Sequence, residues 1–369
     1  MPRLPIVVLG DEGAVTELTA LNRHAAVTSK LRVCTMSLAE VGALALLLTS
    51  VSIVAYAYLG YPLLVFVCAR CFGCKPRRPC VEERDLPTLS LLIAAYNEQS
   101  DIGRRIDNAL ELDYPPHKLE IVIASDGSSD QTNEIVRSYE KHGVRLLAFP
   151  HRRGKATVLN ESIPKLAGDI VMLSDANTFT HASAAERLAA WFQDPQIGVV
   201  CGRLVLTDPT TGRNVDSLYW KYETFLKKCE GRLGALLGSN GAIYAIRKSL
   251  FNGIPANTII DDFLIPLLAR QSSGCRIVYD QDAVAVEETP AKIASEFHRR
   301  ARIGAGGFQS IQHLARLLSP RHGWVSFAFW SHKILRWLSP FALIAALIVN
   351  CALSGAPVFR GLLAVQVGF

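Results

Sequence analysis

The chain has 369 residues, half of them hydrophobic and 20% charged, with 39 Lys and Arg against 33 Asp and Glu for a formal charge of +6. That apolar share is high for a soluble protein of this size, so a membrane-embedded part is expected. The modest positive charge argues against an extended nucleic-acid interface and suits anionic lipid or a phosphate-bearing substrate.

Residues 1–36 carry mixed charge and lack the basic start and apolar core of a secretory signal. They are expected to be a disordered or mis-assigned extension, because Met36 opens MSLAEVGALALLL, which reads as the start of a membrane protein. No charge occurs between Glu40 and Arg70, a length that exceeds the roughly 20 residues needed to cross a bilayer core. A transmembrane segment over 38–69 is expected, with Tyr56, Tyr58 and Tyr61 at headgroup level. The basic flank Arg70, Lys75, Arg77 and Arg78 places the following domain in the cytoplasm. In that reducing compartment the nine cysteines are not a disulfide framework. Cys68, Cys71, Cys74 and Cys80 have a spacing that can hold a metal, but no second pair or His cluster follows at zinc-site distance, which favours a structural role.

Over 87–320 short apolar runs alternate with amphipathic stretches, the pattern of one α/β domain with a largely parallel sheet. Strands are expected over 88–96, 119–125, 144–148 and 169–174, with helices over 102–112, from Ser129, and over 156–166. In such sheets ligands collect at the carboxyl ends of the strands. Asn97 and Glu98 follow the first strand, Asp126 to Asp130 the second, and Asp175 to Asn177 the fourth. Beyond this block, 322–337 mixes aromatics with Lys333 and Arg336 and is expected to be an interfacial helix; a half-buried helix packed on the domain is the other reading. A second charge-free run lies between Arg336 and Arg360, and GLLAVQVGF after it is only about half a span, so the C-terminal transmembrane region over 337–369 is expected to be shortened.

Several short motifs bear on chemistry. In SDGSSD, Gly127 permits a tight turn and Ser128 or Ser129 can cap the next helix, which leaves Asp126 at the crevice rim. Asp-Gly-Ser is also an ordinary turn. The loop His151 to Lys155 can bring Lys155 and backbone amides at a helix start to a phosphate, or it can be a solvated basic loop. Asp261 and Asp262 begin a helix; capping explains one of them, and the other is a candidate general base for an acceptor hydroxyl. On a helix, Arg299 and Arg302 share a face with His298, suited to a pyrophosphate or to a membrane-adjacent surface. Gly304, Gly306 and Gly307 do not form a dinucleotide fingerprint.

In order, AAYNE, SDGSSD, RRGKA, SDANT, GSNGAIYAIR, IDD and HRRARI, flanked by membrane helices, resemble the family 2 inverting glycosyltransferases of the membrane polysaccharide-synthase type. The resemblance covers roughly 38–369. It implies an α/β GT-A fold and transfer of a sugar from a nucleotide-diphosphate donor, usually a uridine one, with Mg²⁺ or Mn²⁺. Matched residue by residue, the donor side comprises Ala95, Tyr96, Glu98, Asp126, Lys155, Asp175, Arg299 and Arg302. Asp175 matches the first acid of the metal motif, and Asn177 stands where the second acid normally is. Asp262 matches the family base, with Asp261 in place of the usual Glu, and Gly238, Ser239, Asn240 and Asp261 match the acceptor side. In the Gln-x-x-Arg-Trp motif of processive synthases, Arg299 takes the Gln place, Arg302 is retained and Ile303 replaces Trp, which removes a stacking platform.

The expected protein is thus a multi-pass enzyme of the cell membrane, the inner membrane if bacterial, with a cytoplasmic catalytic domain. Its partners would be a nucleotide-sugar donor, a saccharide or lipid-linked acceptor and membrane lipids, with no nucleic acid and with a place as a synthase-complex subunit left open. The competing expectations are a single-sugar transferase acting on a lipid carrier, like the dolichol-phosphate mannose synthases, and a catalytically silent partner of a synthase.

Overall fold

In the computed structural model, residues 37–208, 218–288, 293–355 and 357–368 are described; the expected extension over 1–36 lies outside them. The chain divides into two units, Gly60–Trp337 and the pair of segments Met1–Leu59 with Leu338–Phe369.

The described residues of the second of these units are largely helical. Helix α1 (Leu38–Ala55) starts at a capping box, in which the Ser37 hydroxyl accepts from the Glu40 N–H at 3.2 Å and the Glu40 carboxylate accepts from the Ser37 N–H at 2.7 Å. Leu47 packs with Ala346 and Val349, while Leu46, Leu48, Phe341, Ile344 and Ile348 face outward. Two continuous helices, Leu38–Cys71 and Trp324–Ala352, are long and apolar enough to cross a membrane.

The unit Gly60–Trp337 is built on one eight-stranded sheet. After helix α2 (Tyr61–Cys71), β1 (Leu89–Ala95), α3 (Ile102–Leu110), β2 (Leu119–Asp126), α4 (Thr132–Ser138), β3 (Val144–Phe149), α5 (Lys155–Ser162) and β4 (Ile170–Asp175) alternate as the hydrophobic pattern predicts. β5 (Thr178–Thr180), α6 (Ala184–Ala190), β6 (Ile197–Thr207), α7 (Leu218–Arg232), β7 (Tyr244–Arg247), α8 (Asp261–Ser273), β8 (Arg276–Glu288), α9 (Ile293–Leu314) and α10 (Trp324–Ala328) follow. The helices α11 (Leu335–Ala352) and α12 (Pro357–Gly368) end the chain.

The strand order is β3-β2-β1-β4-β7-β6-β8-β5. The first four strands are parallel; β1, β2 and β4 are buried on both faces and read as near-continuous apolar runs, while β3 at the edge is half-buried. The expectation of a largely parallel sheet is corrected beyond β4: β7 runs antiparallel to both β4 and β6, and β5 antiparallel to β8. β1 lies between β2 and β4, so the order reverses there and the loops after β1 and β4 diverge to leave a crevice at their carboxyl ends.

The segment expected as an interfacial helix, 322–337, is helical from Trp324 onward. Within Gly60–Trp337 its inner face is buried through Val325, Phe329 and His332. His332 Nδ1 pairs with Glu230 at 2.6 Å, Glu230 accepts from the Tyr61 hydroxyl at 2.7 Å, and Arg336 donates to Glu223.

Candidate active site

The loop after β1 and the loop after β2 are stitched together by side chains. Asn97 is in the left-handed region at φ 55°, which Asn tolerates better than other side chains. That conformation lets its amide oxygen accept from the Ser129 N–H at 2.9 Å while its own N–H donates to the Ser128 hydroxyl at 3.1 Å. The Glu98 N–H donates to the Thr132 hydroxyl at 2.8 Å. Burial, then Asp101, Asp130 and Asp175, pushes the Glu98 carboxyl above its ordinary range.

Asp126, buried at the end of β2, accepts from the Arg153 N–H at 2.7 Å and the Gly154 N–H at 2.8 Å. Its carboxylate therefore ties the basic loop to the sheet. Gly127 has φ 67°, and a methyl there would stand 2.4 Å from the Arg152 nitrogen, so only glycine lets the two loops approach. Above them the Arg152 guanidinium stacks 4.0 Å from the Tyr96 ring, and Ala95 is buried where β1 ends.

The charged centre lies at the end of β4. Lys155, the first residue of α5, places its ammonium 2.8 Å from Asp175 and 3.3 Å from Asp261. Burial would lower the Lys155 pKa, but Asp261, Asp175 and Asp262 together hold it above the usual lysine range. Asp261 does not cap its helix: Ile260 occupies that place, without a side-chain hydrogen bond, and the Asp261 carboxylate turns to Lys155 instead.

Asp262 Oδ2 accepts from the Gly241 N–H at 3.0 Å, and the Asp262 carbonyl accepts from both the N–H and the hydroxyl of Ser239, at 2.9 and 2.8 Å. Gly238, at φ 80°, makes the turn that brings this loop onto α8. A methyl at Gly241 would stand 3.5 Å from Asp262 Oδ2 and 3.6 Å from Asp175 Oδ2, so the two carboxylates converge on one small space. Burial first, then the like charges of Asp261 and Asp175, outweigh Lys155 and Lys227 and push the Asp262 carboxyl up to about 6. A carboxylate tuned this way is a competent general base near neutral pH.

Asn240 lies between these groups and α7: its amide oxygen accepts from Lys227 and its amide nitrogen donates to the Gly202 carbonyl at 2.9 Å. Asn177 is turned to β8, donating to Glu287 at 3.3 Å. On α9, Arg302 is exposed and Arg299 half-buried. Burial, then Asp175, pushes the Glu287 carboxyl above its ordinary range, against the opposing pull of the Asn177 hydrogen bond and the Arg299 charge. Sequence reasoning missed Lys227, Glu287 and Arg105. Arg105 is fully buried on α3, and its charge reaches Asp175. A lone Arg or Lys in a helical pattern carries no local signal; the acidic pair ending the strand-like run before Thr289 did.

Oxygen donors at this centre, Asp175 and the Asn177 amide with Glu287 beside it, suit a hard cation such as Mg²⁺ or Mn²⁺. Among the described residues no group of three or more His, Cys, Asp or Glu side chains is arranged to hold a metal, Cys68, Cys71, Cys74 and Cys80 included. A cation here would therefore complete its shell with donor phosphates or water.

A parallel half-sheet, an acidic strand end after β4 and a carboxylate opposite it are arranged as in the GT-A fold. Residues 90–252 match the family model for glycosyl transferase family 2. Poly-beta-1,6-N-acetyl-D-glucosamine synthase of Staphylococcus epidermidis is 27% identical over 241 residues, 62% of this chain and 56% of that protein. The synthase of the same name from Staphylococcus aureus strain COL is 27% identical over 246 residues, 63% and 58%. The match thus spans little more than half the length of these relatives. In fold, the chain is similar to the mannosyltransferase PcManGT from Pyrobaculum calidifontis, solved in complex with GDP-Man and Mn²⁺, with a TM-score of 0.72, 24% identity, and 88% and 91% of the two chains covered.

Proposed function

We propose that this chain is a membrane-bound inverting glycosyltransferase that moves a sugar from a nucleotide-diphosphate donor, a uridine one, to a saccharide or lipid-linked acceptor, in polysaccharide or glycolipid synthesis. The observation that carries the reading is Asp262. It is held by the Gly241 N–H, raised to about 6, and set across one small space from Asp175 and its lysine.

In this reading the donor's base and ribose lie over the stitched loops of Asn97, Glu98 and Asp126, and its diphosphate reaches Lys155. Ionised Asp262 removes the proton of the acceptor hydroxyl, and the freed oxygen forms a bond to the anomeric carbon. The bond from that carbon to the diphosphate breaks on the opposite face, so the configuration inverts. Lys155 meets the negative charge that leaves with the diphosphate, as does Arg302 on α9. A divalent cation held at Asp175 and Asn177 would supply further positive charge to the same oxygens. The loop Gly238 to Asn240 orients the acceptor.

The two apolar helices and the basic flank after the first of them support a multi-pass place in the membrane with the catalytic domain on the cytoplasmic side. A second reading, transfer of a single sugar to a lipid carrier, is favoured by Ile303, which stands where processive synthases carry a stacking Trp. The test is to incubate membranes containing the full chain with radiolabelled uridine and guanosine diphosphate sugars and to size the products. A polymer ladder from a uridine donor supports polysaccharide synthesis, one glycolipid band supports the second reading, and no transfer from any donor refutes both.

A further inference from the structure

Asn177 leaves the strand-end motif with one carboxylate where the family pattern has two. A neutral amide oxygen is a hard donor without charge, and sites for Mg²⁺ or Mn²⁺ gain affinity with the number of carboxylates. The structure brings a replacement from far along the chain. β5 begins one residue after Asn177 and pairs antiparallel with β8 in the register Thr178↔Glu287, Phe179↔Val286, Thr180↔Ala285. Glu287 therefore lies across from the residue next to Asn177, and the Asn177 amide nitrogen donates to Glu287 Oε1 at 3.3 Å.

This register is held from a second side. Asn108 on α3 accepts from the Thr180 N–H at 2.8 Å and donates to the Thr180 carbonyl at 2.9 Å, and the buried Arg105 donates to Asn108 at 3.1 Å. The short strand is thus clamped between helix and sheet, and Glu287 is fixed on a strand rather than carried by a loop. Its neighbour Glu288 is exposed.

We propose that Glu287 is the second carboxylate of the cation site, acting with Asp175 and the Asn177 amide to hold Mg²⁺ or Mn²⁺ against the donor diphosphate. The assignment rests on the glycosyltransferase reading above. Two acids and one amide restore the charge that a two-acid motif supplies, with the amide hydrogen bond aligning Glu287. The competing role is an ion pair with Arg299, whose charge acts on Glu287.

The test is a Mn²⁺ titration of the detergent-solubilised full chain at saturating UDP, with free Mn²⁺ read by electron paramagnetic resonance. Glu287→Gln keeps an acceptor for Asn177 and removes the charge, so Mn²⁺ affinity should fall on the order of tenfold or more. Asn177→Asp added to Glu287→Gln should recover most of that loss, which also shows that the variant folds. Glu288→Gln should bind like the wild type. Wild-type affinity in Glu287→Gln, or no recovery in the double variant, overturns the assignment to Glu287 while leaving the cation site standing. A wild type that binds no Mn²⁺ in the presence of UDP overturns the cation reading and Glu287 with it, while sugar transfer in chelator would leave the enzyme reading intact.

Discussion

The buried cluster of Tyr61, Glu223, Glu230, His332 and Arg336 and the crevice cluster of Lys155, Asp175, Asp261, Asp262 and Glu287 use similar groups in different proportions. In the first, each acid meets a cation or a hydroxyl: Glu230 takes Tyr61 and His332, and Glu223 takes Arg336 with His332 at 3.5 Å. Although burial raises the Glu223 carboxyl, His332, Lys333 and Arg336 hold it well below its ordinary range. In the second, the Lys155 ammonium sits within ion-pair distance of both Asp175 and Asp261, and Asp262 has only a backbone N–H on its carboxylate among its hydrogen bonds. A balanced cluster fastens elements together, whereas gathered like charges raise one another's pKa and mark a working site.

Breaking the first cluster should therefore cost fold, and breaking the second should cost chemistry. Glu230→Ala leaves His332 and Tyr61, both almost fully buried, without their shared acceptor. It should lower the unfolding free energy of the solubilised chain by about 3–5 kcal/mol, read by urea denaturation. Asp126→Ala frees two loop N–H groups that water can partly reach, so about 1 kcal/mol of stability should be lost, with UDP binding weakened more than unfolding explains. Equilibrium dialysis against labelled UDP checks the second half.

The pH profile sharpens the same contrast. Asp262 acts as a base only when ionised, and its pKa is pushed up to about 6, so transfer should rise with pH through about 6 and hold above it. Asp261→Asn removes the largest like charge beside it, and the acid limb should move to lower pH by up to about one unit. An unmoved limb would show that some other group titrates there.

How much of this was legible in the chain depends on how local each signal is. β1, β2 and β4 are buried on both faces, so their apolar runs showed them, and Asp126 and Asp175 stood out as the first acids after such runs. The site is less local. Asn177 and Glu287 are 110 residues apart, and they meet because a three-residue strand pairs with β8 in one register. Neither periodicity nor composition specifies a register between distant strands, and the antiparallel insertion of β7 beside β4 was hidden for the same reason. Asp261 shows the limit of position-based reasoning. Two acids at a helix start suggest a cap, yet the carboxylate turns away from its own helix toward a lysine at the start of another helix.

The central claim is that Asp262 is the base of a sugar transfer, and the direct measurement compares wild-type and Asp262→Asn membranes in labelled nucleotide-sugar transfer, with UDP binding measured in parallel. Transfer should fall about 10²- to 10⁴-fold while UDP affinity stays within about threefold. Full transfer by Asp262→Asn would contradict it.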